Sequence, residues 1–196
     1  MLATPPTVPP PRPPFWFRLS IVTANLLQLA GLIAGAAILY VDARLQAAEV
    51  VRIVLMLLGW FSIYICCHAC AHWLMGRLVG IEFQGYGLRG TDHPEAYSGV
   101  MRSIMTALPA FTVMTKKASM QQARPWAKAL MFAAGETSTA ICSILAGFYA
   151  WQRGIPGGLI LFSVMVVFNL MSTVVTARIP RGDYYKARRA LHPAQE

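Results

Sequence analysis

Charged side chains are scarce in this sequence. Asp, Glu, Lys and Arg make up 13% of its 196 residues, whereas they make up about 25% of a typical soluble domain. Hydrophobic residues make up 56% of the chain, and the mean hydropathy is +0.50. Several apolar runs reach the roughly 20 residues that a helix needs to cross a bilayer. The sequence therefore predicts an integral membrane protein and excludes an ordinary soluble domain.

Negative charge is the scarcer sign. The formal net charge is +9, which in a soluble domain would suggest binding to nucleic acid. Here the basic residues cluster between and after the apolar runs, where such residues orient membrane helices and contact anionic lipid headgroups. We therefore expect membrane lipids as partners and no nucleic acid.

The sequence also shows no pattern typical of a disulfide framework or of a cleavable signal peptide. Cys66, Cys67 and Cys70 lie in the second apolar run and Cys142 lies in the third, so free buried thiols are expected. Residues 1–14 are rich in proline and lack the charged start and short apolar stretch of a signal peptide. They are expected to form an extended arm.

Four apolar runs are predicted to span the membrane as helices. They cover residues 19–41, 50–77, 125–151 and 159–177. The aromatic and basic residues 15–18 are expected to anchor the first span at the membrane interface. The apolar segment 100–115 is interrupted by Arg102 and Pro109, and it is expected to be re-entrant or interfacial.

The predicted fold is an all-α membrane protein with about four transmembrane helices and one short re-entrant or interfacial helix. Its predicted parts are the proline-rich arm 1–14, a helical membrane domain 15–180 and a basic cytoplasmic tail 181–196. The segment between the second and third spans and the segment after the fourth carry most of the basic residues. By the positive-inside rule, both termini are expected in the cytoplasm of a bacterium, with the protein in its inner membrane.

Two histidines, His68 and His72, lie near the end of the second predicted span. On an α-helix this spacing places both imidazoles on one face, with Cβ atoms about 6 Å apart. A pair so placed can ligate one metal ion, as in the H-E-x-x-H zinc sites. Where that motif has its glutamate, this chain has Ala69. Cys66 and Cys70 fall on the opposite face, so a mixed His/Cys site is not expected.

A catalytic zinc ion usually takes three protein ligands, so the pair needs a partner. Asp183 is the best candidate, because it follows the fourth span on the same predicted side as the histidines. The reserve candidates are Glu136, Asp92, His93 and Glu95. Glu136 lies inside the third span, where an ionisable group is costly unless it is paired, neutral or facing water. It is therefore either a functional group or a protonated carboxyl bonded to neighbouring hydroxyls.

Segment 68–81, His-Ala-Cys-Ala-His-Trp-Leu-Met-Gly-Arg-Leu-Val-Gly-Ile, resembles the site-2 protease family of intramembrane zinc metalloproteases. In that family H-E-x-x-H precedes an apolar, small-residue and basic stretch that ends near Gly-Ile. Segment 179–186, Ile-Pro-Arg-Gly-Asp-Tyr-Tyr-Lys, resembles a degenerate form of the family's second motif, which ends in Asp-Gly. The resemblance implies a zinc ion held by His68, His72 and Asp183, and a transmembrane protein as substrate.

Two departures from the family pattern bear on activity. Ala69 occupies the position of the catalytic glutamate, and the asparagine expected before the second motif's proline is absent. The resemblance therefore implies a zinc metallopeptidase homologue with impaired or lost hydrolysis, in which Glu136 is a weak candidate for a substitute base. The alternative is a non-enzymatic helical subunit of a larger membrane complex, in which the histidines contact a haem or pigment or serve as packing residues.

Overall fold

Four long apolar helices dominate the structure. The computed structural model describes residues 14–90, 98–178 and 182–192. In chain order the elements are β1 (Phe17–Leu19), α1 (Ile21–Asp42), α2 (Glu49–Leu78), β2 (Phe83–Arg89), α3 (Gly99–Ala107), β3 (Ala110–Thr115), α4 (Lys117–Gln122), α5 (Pro125–Gln152), α6 (Gly158–Arg178) and α7 (Asp183–Leu191). Helices α1, α2, α5 and α6 are long and apolar enough to cross a membrane. The predicted all-α membrane protein with four spans is confirmed.

Local sequence accounts for the ends of these helices. The Ser20 hydroxyl accepts a hydrogen bond from the backbone N–H of Thr23 and so caps α1. Pro125 opens α5, where a missing backbone N–H costs nothing. The tight turn between α5 and α6 uses Gly154 and Gly157, whose φ angles are +63° and +77°. Such angles favour glycine.

The four spans pack in sequence order, with α2 against α1 and α5, and α5 against α6. Close approach of α1 and α2 depends on Gly35, since a Cβ there would lie 2.6 Å from the carbonyl oxygen of Gly59. At the end of the bundle that holds the two short loops, Leu39, Met56 and Leu161 share one buried cluster. Many other large apolar side chains on the spans are exposed, as expected for surfaces that face lipid.

A three-stranded antiparallel sheet caps the opposite end of the bundle. The strand order is β1-β2-β3, with Phe17 paired to Leu88 and Tyr86 paired to Val113. The sequence did not predict this sheet. Residues 17–19, expected as part of an interfacial anchor and the first span, form its edge strand, and the second half of segment 100–115 forms the other edge. The first half of that segment is the short helix α3.

Helix α7 packs against α5 and α6 at the same end. Its Tyr184 hydroxyl hydrogen-bonds the Thr137 hydroxyl of α5 at 3.0 Å, and Ala187 is buried. The described part of the predicted tail 181–196 is therefore a folded helix attached to the bundle. The sheet and α7 together enclose the end of α2 that carries the two histidines.

Candidate metal centre

The structure brings His68, His72 and Asp183 together. Both histidines lie on one face of α2, and their Nε2 atoms are 3.2 Å apart. Asp183 is the first residue of α7, and its Oδ2 lies 3.2 Å from Nε2 of His72 and 3.4 Å from Nε2 of His68. These three residues form the one group of at least three metal-ligating side chains within the described ranges.

The triangle formed by these three atoms fits a tetrahedral zinc ion. Zinc bonds to histidine nitrogen and carboxylate oxygen are about 2.0–2.2 Å long, which in a tetrahedral site places neighbouring ligand atoms about 3.3–3.6 Å apart. The observed edges of 3.2, 3.2 and 3.4 Å are close to that spacing. Three ligands would leave one position for water or another ligand.

Hydrogen-bond acceptors on α5 determine which ring nitrogen of each histidine is free to bind a metal ion. Nδ1 of His72 lies 2.7 Å from the carbonyl oxygen of Met131, which can only accept, so Nδ1 carries the proton. The Thr139 hydroxyl donates to the carbonyl of Gly135 at 3.0 Å, so its oxygen accepts from Nδ1 of His68 at 3.0 Å. Both Nε2 atoms therefore present lone pairs to each other and to the Asp183 carboxylate. Three acceptors this close require a cation among them, either a proton or a metal ion.

Asp183 is held as a carboxylate. Burial of its side chain opposes ionisation. In the metal-free cluster, hydrogen bonds with His68 and His72 and the positive charges of a protonated His72 and of Lys186 outweigh burial and keep the pKa of Asp183 well below its usual range. The Lys186 ammonium donates to the second oxygen, Oδ1, at 2.9 Å. The carboxylate therefore faces the histidines with one oxygen and the lysine with the other.

A glycine on α5 makes room for the His72 ring. A Cβ at Gly135 would overlap that ring, with Cε1 only 2.6 Å away. His72 itself is buried. Gly135 therefore lets α5 approach α2 closely where the site lies.

A cavity of about 470 Å³ opens beside the three ligands. Its polar residues include His68, His72, Asp183 and Lys186. The rest of its wall includes Gly90, Phe111, Thr112, Val113, Met131 and Phe132. A small organic group can therefore reach the ligand atoms through a pocket lined by both polar and apolar residues.

Ala69 lies on a different side of α2. It is 1% exposed and packs with Ala24 and Tyr86, beside Phe111 and Val113 of β3. It does not line the cavity. The position where the motif has a glutamate is therefore filled by apolar packing between α2, α1 and the sheet.

The reserve candidates are not part of the ligand group. Glu136 is half-buried on α5 and does not line the cavity, although its charge interacts with those of His68, His72, Asp183 and Lys186. Asp92, His93 and Glu95 lie outside the described residues. Sequence reasoning missed the supporting residues Met131, Thr139 and Lys186. The polar run 135–139 inside an apolar span was the signal that α5 faces the site.

No protein-family model, no curated protein and no solved structure matches this chain.

Proposed function

We propose that this integral membrane protein binds zinc through His68, His72 and Asp183, on the plan of the site-2 metallopeptidases, and that it no longer hydrolyses peptides. The observation that carries the proposal is the triangle of Nε2, Nε2 and Oδ2 atoms with edges of 3.2–3.4 Å. The hydrogen bonds that both Nδ1 atoms donate support it, because they leave each Nε2 free to ligate.

Each residue has a separate part in this proposal. The two imidazoles and the carboxylate hold the ion, and Lys186 orients the carboxylate through Oδ1. When bound, zinc polarises a carbonyl group and lowers the pKa of water. Peptide hydrolysis also needs a base that takes the proton of water and returns it to the leaving amine, and the absence of such a group costs about 10²–10⁴ in rate. Ala69 supplies no base, and Glu136 does not line the cavity.

The proposal includes an orientation in the bacterial inner membrane with both termini in the cytoplasm. Pairing of β1 with β2 places the start of α1 beside the end of α2, and the bond from His72 to Met131 places the start of α5 there too. The basic residues of the long connection and of α7 therefore share the end of the bundle that carries the site. That charge asymmetry supports a cytoplasmic position for this end.

The rival function is that of a non-enzymatic subunit of a larger membrane complex, in which the histidines contact a haem or pigment. Haem ligation needs an Nε2 atom that faces an open slot for the macrocycle. Here both Nε2 atoms face each other and Asp183 at 3.2–3.4 Å, so the geometry favours a metal ion. A zinc-binding protein without hydrolysis can still bind a transmembrane protein partner, and such a partner is part of the proposal.

Metal analysis of the purified protein tests the zinc site. We expect about one zinc per chain, and loss of that zinc in His72→Ala and Asp183→Asn, because a site left with two ligands binds zinc weakly. His192→Ala is the matched control, since His192 is exposed at the end of α7 and outside the ligand group. Equal zinc content in all four proteins would overturn the assignment.

A cleavage assay tests the loss of hydrolysis. The protein as it stands is expected to leave a membrane-embedded model substrate intact, because no base accompanies the site. Because position 69 is buried against Ala24 and Tyr86 and does not line the cavity, neither Ala69→Glu nor Ala69→Gln is expected to restore cleavage. Zinc-dependent cleavage by the unaltered protein would show that the base lies elsewhere.

A further inference from the structure

Lys186 lines the cavity beside the three ligands. Among the described residues of the cavity wall it is the one lysine or arginine. Its Nζ donates to Oδ1 of Asp183 at 2.9 Å and lies 5.9 Å from the centre of the Phe132 ring. An ammonium group has three N–H donors, and Asp183 is its one hydrogen-bond acceptor in the described part of the chain. Two donors therefore remain for a ligand.

The charges around the cavity do not balance. A divalent ion in the site and Lys186 would together carry three positive charges. Asp183 and Glu136, counted as ionised carboxylates, offset two of them, so one positive charge remains. Much of the remaining wall is apolar, including Phe111, Met131 and Phe132, and a poorly polar surrounding strengthens the attraction between charges. The cavity therefore suits a ligand with a single negative charge.

The number of donors favours a carboxylate over a phosphate. A carboxylate has two oxygens, and the site offers two positions for them: the ligand position that three protein ligands leave on zinc, and the Lys186 ammonium. A phosphate group brings more oxygens and up to two charges. The side chains that could serve the extra oxygens are the hydroxyls of Thr112 and Thr115, which carry no charge.

We propose that the cavity binds a carboxylate carried on an apolar group, with Lys186 as its charged anchor. The inference rests on the zinc site of the proposed function and names the class of ligand for that site. Two sources share this chemistry, the free C-terminus of an apolar peptide and a fatty acid. Since Ala69 supplies no base, the ligand is bound and not cleaved.

Cobalt-loaded protein provides the readout, because the visible absorption bands of Co(II) change when its ligands change. The probes are N-acetyl-leucyl-phenylalanine and octanoate, and the controls are the corresponding amides, which keep the apolar group and remove the charge. Saturable spectral shifts with the acids and none with the amides are expected. Tighter binding of the dipeptide would identify a peptide source, and tighter binding of octanoate a lipid source.

Variants of Lys186 separate ligand binding from a role in orienting Asp183. Lys186→Met should weaken binding of the acid by at least about tenfold, since a charge-assisted hydrogen bond contributes about 1.5–3 kcal/mol. Lys186→Arg should retain most of the affinity. Lys117→Met, at an exposed lysine outside this cavity, should change nothing. Cobalt content is measured in every variant.

Two results would overturn the inference. Equal binding of acids and amides would show that charge is not recognised, and unchanged acid affinity in cobalt-loaded Lys186→Met would show that Lys186 only orients Asp183. Either result leaves the zinc site intact. If the protein takes up no metal, the proposed function fails. The acids are then titrated into the metal-free protein by calorimetry. Binding that is lost in Lys186→Met would support the carboxylate site, and no binding to the unaltered protein would reject it.

Discussion

At the scale of single residues, the site depends on a glycine at position 135, where even a methyl side chain would collide with the His72 ring. The His72 ring occupies the space where a side chain at position 135 would begin, and its Cε1 lies 2.6 Å from the position of that Cβ. Because a packed interface cannot absorb such an overlap without moving a helix or a ring, Gly135 sets the position of His72 as directly as the hydrogen bond to Met131 does.

We therefore predict that Gly135→Ala lowers zinc affinity by about 10- to 100-fold, the usual effect of disturbing a group that orients a ligand. The matched control is Gly147→Ala, also on α5, where the new Cβ would meet the backbone of Phe162 at 2.7 Å, away from the site. Both variants should unfold at lower temperature, but only Gly135→Ala should lose zinc, as measured by competition with a chelating dye. Equal zinc affinities would contradict the prediction.

Thr139 determines the orientation of the other histidine. Its oxygen accepts from Nδ1 of His68 at 3.0 Å, and Thr139→Val removes that acceptor while keeping a similar shape. We expect a 10- to 100-fold loss of zinc affinity, of the order found for other partners of metal-bound histidines. Thr137→Val serves as the control, because its hydroxyl bonds Tyr184 and no ligand. A zinc affinity that stays the same in Thr139→Val would show that His68 needs no such partner.

At the scale of elements, α7 joins the end of the chain to the site. It supplies Asp183 and Lys186, and it packs against α5 and α6. It is short and has an exposed basic face, so a sequence pattern alone favours a surface tail. Its packing makes it a part of the site.

A chain ending after Arg178 should keep its four spans in the membrane and lose zinc, because it lacks the third ligand. A chain ending after His192 retains all of α7 and should bind zinc as the full chain does. Metal analysis of membranes carrying each chain at equal expression provides the measurement. Full zinc content in the shorter chain would mean that Asp183 is not a ligand.

The elements differ in how far sequence could predict them. The spans follow from apolar runs, and their predicted ends lie within two residues of the observed ones. The sheet could not be predicted, because β1 and β2 are far apart in sequence and β2 contains Gly85 and Gly87, which usually indicate a turn. Gly87 is required here because the Phe15 ring lies where its side chain would be.

The site was predictable to a similar degree. The spacing of His68 and His72 places them on one face of any helix. Asp183 was suggested by its position after the fourth span on the same predicted side, and the resemblance to a family implied the same residue. The partners Met131 and Thr139 depend on the register of α5 against α2, which no local pattern encodes. Tyr86 likewise packs against Ala69 through the sheet, so the burial of position 69 could not be foreseen.

At the scale of the whole molecule, the basic residues are concentrated at the end with the sheet, α7 and the candidate metal centre. The two loops at the other end, residues 43–48 and 153–157, carry one basic residue each, Arg44 and Arg153. This asymmetry predicts which end faces the cytoplasm.

Single cysteines in a background without the native four test the orientation. Ser98→Cys, just before α3, should react with a membrane-impermeant maleimide only when the cytoplasmic side is accessible. Gln46→Cys, in the exposed loop between α1 and α2, should react from the outside of intact cells. Labelling of both positions from the same side would refute the four-span arrangement.

The separation of the ligands along the chain has a consequence for biosynthesis. His72 and Asp183 are 111 residues apart, and a ribosome that adds about 5–20 residues per second needs roughly 6 to 22 s to travel between them. The two histidines therefore enter the membrane before the third ligand exists. With His68, His72 and Asp183 as the proposed ligands, the full set exists only after Asp183 has been added. Metal content would therefore report the fraction of molecules whose last helix has docked, and a chain that ends before Asp183 would lack the third ligand.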